Sequence, residues 1–188
     1  MKVDVNGVDI KVSENFRDHI EDSLQEMKDK YFDHASNAAV FFAKERHLFK
    51  VEVHMNVGRG ILLKGTSHDE QLYPAFDSAV ERLGRRLSKY KSKLKDHHAR
   101  EDVATAMQLM ATEKTFRNQE DDDDIANDEP VIIAEMEAII EDITVSEAMM
   151  RLELGDLPAL MFRDRETQRI NMLYRRNDGN IGWVDPKE

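Results

Sequence analysis

Apolar and polar positions alternate with a period of two in several stretches of the first hundred residues, which is typical of strands that bury one face. The strands that this alternation predicts lie around Val3 and Val5 and at about 38–43, 49–57 and 61–66. A turn signal, Asn6-Gly7, follows the first strand, and the glycines on either side of Arg59 indicate a hairpin between the last two.

Two other stretches repeat apolar residues at spacings of three and four, the period of a helix packed on one side. The first begins after Ser13, a favoured N-cap residue, and the second runs from about Gln71 to Lys95. Their apolar stripes are Phe16, Ile20, Leu24, Met27 and Tyr31, and Phe76, Val80, Leu83, Leu87, Tyr90 and Leu94. The order β-α-β-β-β-α predicts an α+β domain over residues 1–96, with both helices on one face of a mainly antiparallel sheet.

Residues 97–129 interrupt this regularity. A possible helical stub is marked by Val103, Met107 and Met110, but the run Asn118–Asp124 carries like charges and no apolar stripe. Such a block cannot bury enough surface to order itself, so 97–129 is predicted to be an acidic flexible linker. A calcium site is the alternative, although the glycine and the final glutamate of an EF-hand loop are missing.

A second regular pattern occupies residues 130–188 and predicts a small α+β domain. Thr144 and Glu147 have the spacing of a capping box, and the short helix that they begin ends near Gly155. Strands follow at about 159–163, 169–175 and 181–184. A single hydrophobic core is marginal at this size, so the domain is expected to gain stability from a second copy of itself.

Composition narrows the cellular setting. The chain has 188 residues, no cysteine and a formal net charge of −11. Without cysteine, disulfides, thiol catalysis and thiolate metal sites are all excluded. No apolar run approaches the roughly 20 residues that cross a bilayer, and no apolar signal segment opens the chain, so a cytoplasmic protein is expected.

The charge is distributed unevenly along the chain. Residues 1–96 carry +1, residues 97–129 carry −7 and residues 130–188 carry −5. Screening beyond about 10 Å makes a polyanion respond to local charge rather than to the total. The second helix, which carries +5 over 71–95, holds a group that we call the basic ridge. Its residues are Arg82, Arg85, Arg86, Lys89, Lys91, Lys93 and Lys95.

On a helical wheel, Arg82, Arg86, Lys89 and Lys93 share one face and Arg85 lies beside it, so the basic ridge is expected to point to solvent. A solubilising surface is the plain explanation, but such surfaces normally mix both signs, as the first helix does. A ridge of one sign in an acidic chain favours a phosphate backbone instead. No base-reading motif or aromatic stacking pair accompanies it, so shape-based contact with folded RNA is predicted.

The C-terminal strands are apolar on two sides, and a domain this small would have to cover both. One face can take the domain's own helix, and a second copy could cover the other. The residues predicted to form this homodimer interface are Leu160, Phe162, Ile170, Met172 and Tyr174. An ordinary core covered by residues 131–143 is the alternative, but the small size of the domain favours the homodimer.

Motifs that carry chemistry are scarce. The sequence has no glycine-rich phosphate loop, no nucleophile elbow and no zinc-binding His-Glu-x-x-His. His97-His98 with Glu101 could touch a metal ion, but a solvated helix end explains them better. We therefore predict that the chain is not an enzyme and has no cofactor, no metal, no membrane partner and no small-molecule substrate.

Two stretches of the chain resemble a known family. Leu72–Asp77 with Glu81–Lys91 is similar to the second helix of the hibernation promoting factor and ribosome-associated inhibitor family. Met161–Arg163 with Asn171–Gly182 resembles the C-terminal domain of the long form of that family. The resemblance covers nearly the whole chain, and two signatures in this order are more specific than either one alone.

The resemblance implies a double-stranded-RNA-binding-like N-terminal domain that occupies the decoding channel of the small ribosomal subunit and excludes messenger and transfer RNA. It also implies a C-terminal domain that pairs ribosomes into inactive dimers, in stress or stationary phase. The family's contacts with ribosomal RNA carry over to Arg82, Arg85, Arg86, Lys89 and Lys91, and Lys93 is added from the helical wheel. The alternative is a generic regulator that binds a non-ribosomal double-stranded RNA.

Overall fold

The computed structural model describes residues 1–7, 10–32, 37–57, 61–99, 109–117 and 131–187, and along 92–99 it describes the backbone only. The N-terminal elements are β1 (Lys2–Gly7), α1 (Glu14–Tyr31), β2 (Asn37–Glu45), β3 (Leu48–Asn56), β4 (Leu62–Asp69) and α2 (Leu72–Ala99). Their order is the one that the sequence predicts. The strands form a sheet in the order β1-β2-β3-β4, parallel between β1 and β2 and antiparallel elsewhere.

The apolar stripes explain how the two helices lie on this sheet. Ser13 caps α1 by accepting a hydrogen bond from the backbone N–H of Phe16 at 3.3 Å. The stripe residues of α1 from Phe16 to Met27 are buried, and so are most of those of α2, against the inward positions of β2, β3 and β4. The predicted α+β architecture of the first domain, with one face of the sheet covered, is therefore confirmed.

The linker prediction for 97–129 is wrong at two places. α2 continues to Ala99, and Leu109–Phe116 forms a strand, β5, that pairs antiparallel with β6 (Ile132–Ile140). Met110 therefore lies in a strand and not in the predicted helical stub, whose other positions, like the acidic run 118–130, are outside the described residues. We call β5 and β6 together the ribbon, and it exposes large apolar side chains such as Met136.

The C-terminal domain has the predicted helix and three strands, with one short strand more. Its elements are β7 (Asp142–Ile143), α3 (Val145–Leu154), β8 (Ala159–Asp164), β9 (Ile170–Arg175) and β10 (Ile181–Val184). The sheet order is β10-β9-β8-β7, with β7 parallel to β8 and the other pairs antiparallel. The capping box is present, because the Thr144 hydroxyl accepts from the Glu147 N–H and the Glu147 carboxylate accepts from the Thr144 N–H.

Helix α3 contributes to two separate cores. Its residues Ala148 and Leu152 are fully buried with Phe162 and Leu173 under the C-terminal sheet. Met150 and Leu154, on the other side of the helix, are fully buried in the core of the N-terminal domain. The helix thus joins the two domains by its apolar side chains. Among the described residues, no helix is long and apolar enough to cross a membrane.

Candidate nucleic-acid and self-association surfaces

Close packing places α2, and with it the basic ridge, against the free edge of β4. Gly65 on β4 makes this approach possible, because a Cβ atom there would lie 2.7 Å from Leu83 Cγ and 3.0 Å from the Ala79 carbonyl oxygen. Among the described strands, β4 pairs only with β3, so its outer edge carries carbonyl groups that none of these strands satisfies. The basic side chains of α2 that point toward this edge can therefore donate to it.

Two arginines of the basic ridge donate hydrogen bonds to the carbonyl groups of this edge. The Arg82 Nη1 atom donates to the Thr66 carbonyl oxygen at 2.9 Å, and the Arg86 Nη1 atom donates to the Lys64 carbonyl oxygen at 3.0 Å. Thr66 and Lys64 are two residues apart, so their carbonyl groups point to the same side of the strand. Part of the ridge therefore has a structural task that the one-signed charge pattern did not indicate.

Other members of the ridge face solvent, as predicted. Arg85 keeps 66% of its side chain exposed and makes an ion pair of 3.3 Å with Glu81, one turn earlier on the same exposed face. Lys91 is also exposed, and its ammonium lies 5.9 Å from the centre of the Tyr31 ring. The side chains of Lys93 and Lys95 are outside the described residues. A pair such as Arg85 with Glu81 contributes little stability, so Arg85 remains available to a phosphate.

The prediction that the whole ridge points to solvent is wrong for Arg86 and, in part, for Lys89. Only 33% of the Arg86 side chain is exposed, and its Nη2 atom lies 3.3 Å from the Asp156 carboxylate just after α3. The Lys89 ammonium donates to both carboxylate oxygens of Glu153, at 2.8 and 2.9 Å. The C-terminal domain therefore supplies the counter-charges for this part of the ridge.

The ion pair between the two domains shifts the pKa values of both of its partners. The hydrogen bond to Glu153 raises the pKa of the Lys89 ammonium above its ordinary value. Burial works to raise the pKa of the Glu153 carboxyl, but hydrogen bonds from Lys89 and Tyr90 outweigh it and hold that pKa below its ordinary value. Both groups are therefore charged at neutral pH when α3 is in place.

The predicted self-association residues do not share one surface, and this is a second correction. Phe162 is fully buried in the core under α3, and Leu160 packs against that same core. Ile170, Met172 and Tyr174 lie on the opposite face of the sheet, because the pairing of Met161 with Met172 puts Phe162 beside the buried Asn171. Phe162 is therefore a core residue and is not free to contact a partner.

The outer face of the C-terminal sheet keeps apolar side chains open to solvent. Met161 is 50% exposed and pairs with the half-buried Met172, while Val184 of β10 pairs with Met172 from the other side and is exposed as well. Tyr174 lies across Gly182 on the neighbouring strand, where an added methyl group would overlap the ring. The sequence reasoning did not include Met161 and Val184 in this face, since it did not fix the phase of β8 relative to β9.

No group of three or more histidine, aspartate or glutamate side chains within the described residues could hold a metal ion. The metal alternative weighed at His97-His98 with Glu101 and the calcium alternative in the acidic run fall on residues whose side chains the structure does not describe.

Comparison with known proteins identifies the class. Residues 3–95 match the family model described as "Sigma 54 modulation protein / S30EA ribosomal protein", and residues 127–182 match the model of the "Sigma 54 modulation/S30EA ribosomal protein C terminus". The chain is therefore a two-domain protein of the S30EA ribosomal protein class. Neither matched model describes an enzyme.

Full-length relatives give the family. A protein named "Ribosome hibernation promotion factor" from Bradyrhizobium diazoefficiens is 34% identical over 99% of this chain and 95% of its own length. Another of that name from Rhizobium meliloti is 35% identical over 98% of this chain and 97% of its own length. The chain belongs to the ribosome hibernation promotion factor family, and the match over both domains confirms the resemblance to its long form.

A solved structure is similar to half of the chain. The "ribosomal subunit interface protein from Coxiella burnetii" is 21% identical, covers 49% of this chain and 99% of its own, and has a TM-score of 0.43.

Proposed function

We propose that this chain binds the small ribosomal subunit through its N-terminal domain, blocks the decoding channel, and pairs ribosomes through its C-terminal domain. Membership of the hibernation promotion factor family supports the ribosomal target. The observation that carries the binding surface is the exposure of Arg85 and Lys91 on a helix whose opposite side is fixed rigidly to the sheet. A rigid domain that presents cations to phosphates excludes translation ligands by occupying their space.

The basic ridge should act through charge rather than through base recognition. Arg85 points away from the sheet, while Arg82 and Lys91 lie on opposite sides of α2, toward β4 and toward α1, so a folded RNA would place its phosphates around the exposed half of the helix. Each phosphate contact that is lost should weaken binding and reduce its salt dependence by roughly one unit of the log–log slope. This behaviour would separate a phosphate-binding ridge from a merely solubilising one.

The test is sedimentation of purified ribosomes with the full chain through a sucrose gradient. We expect the double reversal Arg85→Glu with Lys91→Glu to leave the protein at the top of the gradient at moderate salt. Its matched control reverses Lys11 and Arg17, two exposed basic residues of the same domain. Equal binding by both double variants would reduce the ridge to a solvated helix face. Loss of binding to ribosomes but not to a simple RNA duplex would also exclude the generic RNA regulator.

Pairing of ribosomes is proposed to use the outer face of the C-terminal sheet. Met161→Glu places a charge at the centre of that face, where a partner copy would have to bury it, at a cost of several kcal/mol. We expect this variant to sediment with single ribosomes and to lose the heavier peak of paired ribosomes.

Met136→Glu, on the exposed ribbon, is the comparison for Met161→Glu, because it makes the same chemical change on a different apolar surface. A heavier peak lost with Met136→Glu and kept with Met161→Glu would assign pairing to the ribbon instead.

A further inference from the structure

The proposed RNA-binding helix already has an occupant in the free chain. Glu153, near the end of α3, and Asp156, just after it, form ion pairs with Lys89 and Arg86 of the basic ridge. The Arg86 Nη1 atom also lies 3.4 Å from the Glu153 carbonyl oxygen. A carboxylate and a phosphate oxygen make the same kind of charge-assisted hydrogen bond to a guanidinium or an ammonium.

The contact between α3 and the N-terminal domain includes buried apolar residues as well as surface charges. Met150 and Leu154 of α3 are fully buried in the N-terminal core, so release of α3 would expose both. Gly155 also lies at this contact, since a Cβ atom there would be in ordinary van der Waals contact, 3.4 Å, with the Leu62 carbonyl oxygen on β4. A surface ion pair alone would contribute little, but here the ion pairs flank a buried apolar contact.

The acidic groups at this contact are themselves organised. Asp156 receives a second guanidinium, that of Arg175 on β9, at 3.3 Å, and Arg175 also donates to the Leu157 carbonyl oxygen. The loop after α3 is thereby fixed to its own sheet, and it presents Asp156 to Arg86 as a preformed group. The C-terminal domain therefore presents two positioned carboxylates, Glu153 and Asp156, to two residues of the basic ridge.

We propose that the C-terminal domain binds in cis to the basic ridge through the end of α3, and that ribosomal RNA and α3 compete for Arg86 and Lys89. This inference rests on the proposed function, since masking has meaning only if the ridge binds RNA. The free chain is then held in a closed form, and the ribosome selects the open form in which α3 has left the ridge. The apparent affinity for the ribosome is reduced by the fraction of chains that are closed.

The competition can be measured in the full chain with the double variant Glu153→Gln and Asp156→Asn. It leaves every basic residue in place and removes the charges that mask them. We expect it to bind small ribosomal subunits about fivefold more tightly at low salt, because a weaker closed form leaves a larger open fraction. The control Glu137→Gln with Glu166→Gln makes the same change of net charge at exposed positions of the C-terminal part of the chain and should change affinity much less.

A second measurement reports the closed form without any ribosome. The chain has no cysteine, so Glu21→Cys on α1 and Asn177→Cys in the β9–β10 turn can be spin-labelled at exposed positions for a distance measurement. We expect one narrow distance in the otherwise unchanged chain, and a broad, longer distribution in the Glu153→Gln and Asp156→Asn background or after ribosomes are added.

The outcomes separate the inference from the function on which it rests. A broad distribution in the unchanged chain would overturn the closed form whatever the ribosome binding shows. A narrow distance combined with the same affinity in the masking variant and its control would overturn the competition. Failure of every variant to bind ribosomes, with a narrow distance retained, would instead refute the proposed function and leave a closed form without a masking role.

Discussion

Two adjacent residues of β8 should respond in opposite ways to truncation, and the contrast tests the assignment of the faces of the C-terminal sheet. Phe162 is fully buried under α3, whereas half of Met161 is exposed on the outer face. Phe162→Ala removes the largest side chain of a core that has five buried members among the described residues, and Met161→Ala removes a side chain that solvent already contacts. The two changes are one residue apart and affect opposite faces of the sheet.

The size of the effect follows from burial. Replacing a buried phenylalanine by alanine typically costs about 3–5 kcal/mol, since the transfer free energy is lost and a cavity remains. A domain of the size of residues 131–187 has a free energy of unfolding of roughly 3–8 kcal/mol. The Phe162→Ala change should therefore remove most of the stability of the domain, while Met161→Ala should cost about 1 kcal/mol or less.

Urea unfolding followed by tryptophan fluorescence is the suitable assay, because Trp183 is the only tryptophan and lies on β10. Its indole N–H donates to the Asn171 side chain at 2.8 Å, so the signal reports the C-terminal sheet. We expect a large loss of midpoint for Phe162→Ala and a small one for Met161→Ala. Equal shifts in the two variants, or a larger one at Met161, would refute the assignment of the faces.

Three further predictions concern the framework around the two surfaces. Gly65→Ala should destabilise the N-terminal domain by about 1–3 kcal/mol, because the new methyl group would overlap with α2. Gly84→Ala has open space around the new methyl group and should stabilise the domain by about 1 kcal/mol, so the two variants should shift the thermal unfolding temperature in opposite directions. Thr144→Ala should cost about 1 kcal/mol in a urea titration because α3 loses its N-cap, and Thr144→Ser should restore most of it. The Lys89–Glu153 pair has a raised lysine pKa and a lowered glutamate pKa, so the population of the closed form should stay constant between about pH 5 and 10 and should fall as acid protonates Glu153. The spin-label distances would record this change. A fall already at neutral pH would contradict the pairing.

The N-terminal domain could be predicted because its local signals agree with its tertiary structure. Alternation of period two and stripes of period 3.6 mark different segments, and Ser13 marks the start of α1 by a hydrogen bond to a residue three positions away. Such features depend on neighbours in sequence, which is why they can be read without a structure. The capping box of α3 is a second example of the same kind.

The ribbon was missed because strand pairing is not local. Residues 132–140 do alternate, with alanine, methionine and isoleucine at the even positions, and this signal could have indicated β6. β5 has a weaker pattern, and Met110 also fits a helical spacing with Met107. The two strands are separated by the acidic run, so no signal close in sequence to β5 predicts that it pairs with β6.

The partners of the basic ridge were missed for a related reason. The Asp156 carboxylate that meets Arg86 is 70 positions away along the chain, and no periodicity connects them. One clue was available, since α3 is apolar on two sides: Met150 and Leu154 lie opposite Ala148 and Leu152. A short helix with two apolar sides has two surfaces to cover, and only one of them was assigned to its own domain.

The position of the ribbon also determines how far the C-terminal domain can travel. If the whole of 97–129 were a linker, a released C-terminal domain could extend roughly 110 Å from α2. Because β5 pairs with β6, only residues 100–108 connect α2 to the ribbon, and nine residues span at most about 30 Å. The acidic run lies between the two strands of the ribbon, so lengthening it would not increase this reach, whereas removing a few residues from 100–108 would shorten it directly. The spacing of two chains that associate through their C-terminal domains is then governed by that short bridge, and the acidic run is free to vary in length without altering it.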